Sequence, residues 1–219
     1  FRGHLRDAAR LAAADPHAMQ AGVMYNLARF SIMPADSARA EFHRVLEFAP
    51  RSRITRLYAW WATDRDTAAI RTYIDSFWSS GDRVRTPSVE AMIRASIVEG
   101  RAFLALAKDD SASALRLLVS TRDTLNPCWH ENRTVLAQLL TSAGKYRDAA
   151  KRLERRWPGT TTCGNGVDDV LWTLQRGRVF ERVGRREEAA ASYEFVIAAW
   201  RNADPELQPY VREAMTGLR

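Results

Sequence analysis

Small and bulky side chains return at fixed offsets along this chain, and that repetition limits the folds open to it. The clearest copy lies near the C-terminus and consists of Gly177, Phe180, Gly184, Ala189 and Tyr193. Small residues at the first and fourth positions let two antiparallel helices touch, and the aromatic rings fill the space between them. A glycine at the third position permits the tight turn that links the helices. This set predicts a helical hairpin.

The same offsets recur upstream, so the hairpin is predicted to be one of several copies. A second good copy and two looser ones are Ala137, Leu140, Gly144, Ala149 and Leu153; Ala102, Ala105, Asp109, Ala114 and Leu118; and Leu57, Trp60, Asp64, Ala69 and Tyr73. Ala38, Phe42 and Pro50 match the second helix and exit of a further pair, and Gly3 begins a second helix that lacks its partner. The predicted turns lie at residues 3, 33, 64, 109, 144 and 184, which are 30 to 45 residues apart.

These offsets resemble those of tetratricopeptide repeats (TPRs), a family of helical hairpins with a unit of roughly 34 residues. Strand-like alternation is nearly absent from the sequence. The resemblance implies an all-α fold: a single domain over residues 1–219, built as a TPR-like α-solenoid in which antiparallel helix pairs form a right-handed superhelix. The expected pairs span 17–49, 52–79, 87–120, 129–156 and 167–200, with a lone helix at 3–14 and a capping helix at 205–218.

The two ends of the sequence differ in their patterning. Leu207, Val211 and Leu218 fall on one face of the last segment, which is typical of a helix that caps a solenoid. The N-terminal end has no such cap, so we expect further helices before Phe1 in a longer parent protein. The sequence over 185–209 also resembles the C-terminal repeats of multidomain bacterial regulators, in which such arrays follow a protein kinase or a winged-helix transcription-factor domain. That resemblance implies a regulatory module.

The formal net charge of +7 raises the question of nucleic-acid binding. Phosphate-binding surfaces need cations gathered on one face. Here the arginines mostly alternate with acidic residues, as in Asp64-Arg65-Asp66, so nucleic-acid binding through Arg-rich faces is a lower alternative. The sequence also lacks a run of eighteen apolar residues, so we expect a soluble segment without a membrane span.

Cys128 and Cys163 are 35 residues apart, close to one repeat, and would lie near the same edge of neighbouring hairpins. A disulfide between them is possible, and free thiols in a reducing cytoplasm are an equal alternative. A bridge would favour an extracytoplasmic location and free thiols a cytoplasmic one.

Residues arranged for catalysis or metal binding are not evident in the sequence. The four histidines are His4, His17, His43 and His130, and none has a second ligand at a metal-binding offset. Gly164-Asn165-Gly166 lacks the lysine of a phosphate-binding loop, and neither cysteine has a basic partner nearby in sequence. We therefore expect no enzymatic activity, no metal and no cofactor.

The candidate binding residues follow from the expected solenoid, whose first helices line the concave surface. Residues just past the small packing positions would project into that surface: Tyr58, Trp61, Gln138, Arg178 and Arg182. Aromatic anchors beside arginine suit an extended or helical peptide of acidic character. The sequence thus favours a non-catalytic module that binds a partner protein or peptide. The alternative is a sensory domain for a small molecule or signalling peptide, which an enclosed apolar pocket would favour.

Overall fold

The computed structural model describes residues 3–14, 21–48, 57–79, 86–121, 130–154 and 166–219, and all regular structure within these ranges is helical. In chain order the α-helices are α1 (Leu5–Ala14), α2 (Ala21–Arg29), α3 (Ala35–Phe48), α4 (Leu57–Thr63), α5 (Thr67–Ser79), α6 (Pro87–Leu106), α7 (Ser111–Ser120), α8 (His130–Ser142), α9 (Tyr146–Glu154), α10 (Gly166–Arg182), α11 (Arg186–Trp200) and α12 (Gln208–Gly217), with a 3-10 helix at Pro205–Leu207. The predicted all-helical class is confirmed for this part of the chain. None of these helices is long and apolar enough to cross a bilayer.

The chain divides into two compact units. Unit 1 contains Phe1–Leu11 and Pro127–Arg219, and unit 2 contains Ala12–Asn126. In unit 2, α2 packs on α3, α4 on α5 and α6 on α7; in unit 1, α8 packs on α9 and α10 on α11. First helices of successive pairs also contact each other, α2 with α4 and α4 with α6 in unit 2, and α8 with α10 in unit 1. The single continuous domain stays a prediction.

Five turns within the described ranges share one backbone geometry. A residue with positive φ follows each first helix, two or three residues after its end, and these residues are Ser31, Arg65, Asp109, Gly144 and Gly184. The next residue donates its backbone N–H to the carbonyl five residues earlier; the 185-to-180 and 145-to-140 bonds are both 2.8 Å long. This is the Schellman helix end, which glycine adopts without strain. The turns predicted at 109, 144 and 184 are confirmed, and those predicted at 33 and 64 lie two residues and one residue from the observed positions.

Close packing of α10 on α11 follows the predicted pairing of a small residue with a ring. A Cβ atom added to Gly177 would lie 2.7 Å from the ring of Tyr193, which is itself buried. Phe180 and Ala189 are buried between the same two helices. The lack of a side chain at Gly177 therefore sets how closely this hairpin closes.

The segment at the start of α1 bonds to the turn that precedes α12, and the expected lack of a hairpin partner for this helix stays a prediction. The backbone N–H of Asp204 donates to the carbonyl of Gly3 at 3.1 Å. The Asp204 carboxylate accepts the backbone N–H of Arg6 at 2.8 Å and so caps the first turn of α1. The Arg6 guanidinium pairs with Glu206 at 2.6 Å. This segment is therefore an integral part of unit 1.

An aromatic cluster occupies the core of unit 2. Tyr58 is 0% exposed and Trp61 is 1% exposed. Their rings meet Tyr73 edge to face, with centroids 5.2 and 5.4 Å away, and Phe103 stacks on Tyr58 at 6.2 Å. The predicted exposure of Tyr58 and Trp61 on a binding surface is wrong, because both side chains are needed to fill this core.

The error has its origin in the position of one turn. The α4/α5 turn has its positive φ at Arg65, one residue later than predicted, so Trp61 and not Trp60 takes the place of Phe180 in the repeat. A shift of one residue rotates a side chain by about 100° around a helix. That rotation carries Tyr58 and Trp61 from the surface into the core.

Gly100 on α6 makes room for Tyr58. A Cβ atom at Gly100 would lie 2.7 Å from both Cζ and Oη of Tyr58 and 2.6 Å from Ile74. We predict that Gly100→Ala lowers the free energy of unfolding by about 1–3 kcal/mol, since overpacking outweighs the better helix propensity of alanine. Urea unfolding measures this cost. The same change in a Tyr58→Leu background should cost clearly less, and equal costs in both backgrounds would contradict the proposed steric cause.

Candidate functional site

An open groove of about 480 Å³ lies on the surface of unit 1 and is called the polar groove below. The first helices α8 and α10 and the last helix α12 supply most of its lining, and α11 adds one tyrosine. The lining residues are Gln138, Thr141, Ser142, Gln175, Arg178, Glu181, Arg182, Tyr193, Glu213, Thr216 and Gly217. Apart from Gly217, every one of these residues carries a polar side chain.

Arg178 on α10 is fixed in the wall of the polar groove. Its Nη2 donates to Oε2 of Glu213 on α12 at 2.6 Å, and its Nε donates to the other oxygen of the same carboxylate. Its Nη1 donates to Oε1 of the buried Gln175 at 3.1 Å. The hydrogen bonds to Glu213 raise the pKa of the Arg178 guanidinium, so this side chain keeps its positive charge. This bidentate geometry orients both charges and ties α12 to α10.

A second fixed contact joins α11 to α10 at the floor of the groove. The Tyr193 hydroxyl donates to Oε2 of Glu181 at 2.8 Å. Burial of the ring, and then the contact with Glu181, raise the pKa of Tyr193, so its hydroxyl keeps its proton. The Thr141 hydroxyl likewise donates within its own helix, to the carbonyl of Ala137 at 2.7 Å. Each of these hydroxyls keeps lone pairs that can still accept a hydrogen bond.

Gln138 and Arg182 differ from these anchored groups. Both side chains are exposed, and neither makes a hydrogen bond or an ion pair with any residue in the described ranges. An unengaged amide can both donate to and accept from a peptide backbone, and an unengaged guanidinium can hold a carboxylate with two parallel bonds. The polar groove thus combines a rigid wall with two free recognition groups.

A second surface groove of about 570 Å³ also lies in unit 1 and is called the basic groove below. Its lining residues are Gly144, Lys145, Tyr146, Arg147, Asp148, Arg182 and Val183. Arg182 lines both grooves. The two sites therefore meet at this side chain.

The chain matches no protein-family model, no curated protein and no solved structure. The geometry of unit 1 is thus the basis on which a function can be assigned. Within the described ranges, no group of three or more His, Cys, Asp or Glu side chains is placed to hold a metal ion. His43 lies 2.9 Å from Asp66 in a surface contact.

Three of the five predicted binding residues come together in the structure. Gln138, Arg178 and Arg182 line the polar groove, whereas Tyr58 and Trp61 are in the core of unit 2. Their role in binding a partner stays a prediction. The predicted cysteine pair lies outside the described residues.

The sequence reasoning missed two groups of the groove, Glu213 and Tyr193. Glu213 lies on the predicted capping helix, away from the apolar face formed by Leu207, Val211 and Leu218. Tyr193 was assigned to packing alone, although its hydroxyl reaches Glu181. A charged residue on the capping helix opposite Arg178 was the available signal for Glu213.

Proposed function

We propose that this chain is a non-catalytic interaction module that binds a peptide segment of a partner protein in the polar groove. We further propose that its hairpins are TPR-like repeats of a right-handed α-solenoid that belongs to a larger bacterial regulatory protein. The observation that carries the binding proposal is the convergence of Gln138, Arg178 and Arg182 from two successive first helices on one open groove.

The recurrence of one turn geometry and one packing arrangement supports the assignment of the hairpins as repeats. Five turns in the described ranges have the same Schellman geometry, and first helices of successive pairs contact each other within each unit. Such stacking leaves the inner faces of first helices side by side, which is how repeat proteins form extended binding surfaces.

The lining of the groove favours an extended peptide over a small apolar ligand. Its walls offer amide, hydroxyl and guanidinium groups spread over four helices, while an enclosed apolar pocket would suit a small molecule. Peptide backbones present regularly spaced donors and acceptors that such a wall can satisfy. The ion pair between Arg178 and Glu213 holds the wall in place before binding, which reduces the entropy lost on association.

A groove-filling variant tests the proposal. Peptides selected on the intact chain from a random display library should bind Gln138→Trp or Thr141→Trp about tenfold or more weakly, because the indole occupies the space of the peptide. Fluorescence polarisation with labelled peptides measures the change.

Glu194→Trp is the matched control, since residue 194 is exposed on α11 and does not line the polar groove. It should bind the selected peptides as the unmodified chain does. Selected peptides that bind both groove variants with unchanged affinity would place the binding surface elsewhere and reject this function.

A further inference from the structure

We infer that the partner segment is acidic at the end that leaves the polar groove across Arg182, and that this acidic end lies in the basic groove. The inference rests on the proposed peptide-binding function and adds the chemistry and the direction of the bound segment. It rests on which charged side chains of the two grooves already have a partner and which do not.

Apart from Arg182, the charged side chains of the polar groove that the structure describes already have partners. Arg178 is paired with Glu213, and Glu181 accepts the hydroxyl of Tyr193. A peptide lying along this part meets a wall whose charged groups already have hydrogen-bond partners, so it needs no charge of its own there.

Charges in the basic groove are not matched. Lys145, Arg147 and Arg182 line it, and none of the three makes an ion pair with a residue in the described ranges. Asp148 is the one acidic residue in the lining that the structure gives for this groove. A surplus of positive charge therefore begins at Arg182 and extends past the Gly144 turn.

Arg182 lines both the polar groove and the basic groove, so it determines where the bound segment passes from one to the other. A segment that passes from the polar groove over this side chain enters the basic groove without leaving the protein surface. Its uncharged part then lies between α8 and α12, and its carboxylates lie against Lys145, Arg147 and Arg182. A nucleic-acid strand fits less well, because its evenly spaced phosphates would also lie along the polar groove and meet the carboxylate of Glu181 there.

Octaglutamate labelled with fluorescein is the probe for the acidic end, and octaglutamine and an oligothymidylate of eight nucleotides are its comparisons. We expect octaglutamate to bind the intact chain in low salt, octaglutamine to bind much more weakly, and affinity to fall as salt screens the contacts. The triple variant Lys145→Glu, Arg147→Glu and Arg182→Glu should lose about tenfold or more in affinity for octaglutamate.

The matched control reverses three exposed cations of unit 2, in the triple variant Arg71→Glu, Arg101→Glu and Lys108→Glu. It changes the net charge by the same amount and should retain most of the binding. Equal losses in both triple variants would show general attraction to a basic chain and would overturn the inference. Absence of octaglutamate binding, or tighter binding of the oligothymidylate, would also overturn it.

The two proposals can fail separately. If octaglutamate does not bind but library-selected peptides lose affinity in Gln138→Trp, the polar groove binds peptides and the acidic end is wrong. If octaglutamate binding requires the basic groove, while the selected peptides bind Gln138→Trp and Thr141→Trp with unchanged affinity, the acidic site is supported and peptide binding in the polar groove is wrong. Thermal unfolding of each variant, followed by circular dichroism, confirms that the fold is retained.

Discussion

Trp61→Ala is expected to lower the free energy of unfolding by about 3–5 kcal/mol, the cost typical of truncating a buried aromatic side chain. The indole is 1% exposed, and its ring meets Tyr58 and Tyr73 edge to face at 6.4 and 5.4 Å. Alanine would leave a cavity that these neighbours can fill only in part, and it would remove two aromatic contacts. Urea unfolding followed by circular dichroism gives the overall cost.

Hydrogen exchange then locates the effect. We expect faster exchange in α4, α5 and α6, because these helices surround the cluster in unit 2. Phe195→Ala is the comparison, since Phe195 is 43% exposed and its truncation should cost far less. If Trp61→Ala left stability unchanged and instead weakened binding of the selected peptides, the buried position of Trp61 would be contradicted and the surface role expected from the sequence would be restored.

Trp61 was placed on the wrong face because no glycine marks the turn after its helix, whereas Gly184 marks the turn after the helix that carries Arg178. Gly144 and Gly184 have φ of 72° and 80°, and a glycine in such a setting marks where a helix ends. With the turn fixed, helical periodicity assigns each side chain to a face, and Arg178, which was expected on the binding surface, lines the polar groove. At the α4/α5 turn the same conformation falls on Arg65, with φ of 58°, and an arginine gives no such sign.

Contacts between distant segments could not be predicted from the sequence, for a different reason. Periodicity tells which face of a helix a residue is on, but the partner across that face depends on how the helices are packed. Asp204 capping α1 at Arg6 joins parts of the chain almost two hundred residues apart. The close approach of Tyr58 to Gly100 likewise depends on where α4 crosses α6. The hairpins could be predicted from the sequence because they are local, and these contacts could not.

Glu99→Gln is expected to change how stability depends on pH. Glu99 on α6 is 0% exposed, and neither of its carboxyl oxygens has a hydrogen-bond partner among the described residues. Burial raises the pKa of this carboxyl well above its ordinary value of 4.5. The unfolded chain therefore releases the proton near pH 4.5, while the folded chain keeps it to a higher pH. Stability from this group is complete below pH 4.5 and is lost as pH rises toward the folded pKa.

Glutamine has nearly the same shape and does not ionise, so the difference between the two proteins isolates this one proton. The free energies of unfolding should be similar near pH 4. Above about pH 4.5 the unmodified chain should lose stability relative to Glu99→Gln, by up to about 1.4 kcal/mol for each pH unit until the folded pKa of Glu99 is reached. Urea unfolding from pH 4 to pH 9 measures both curves.

Glu99→Met separates ionisation from the cost of burying a polar group. Methionine has a similar length and needs no hydrogen bond, so this variant should exceed Glu99→Gln in stability by about 1–3 kcal/mol at every pH. Burial raises the pKa of the neighbouring Tyr58 hydroxyl, and electrostatic coupling to Tyr73 and then to Glu99 raises it further, so Tyr58 keeps its proton while Glu99 titrates. Parallel pH curves for the unmodified chain and the Glu99→Gln variant would mean that the carboxylate is ionised and compensated in the folded chain, and the core of unit 2 would then need a positive partner for it.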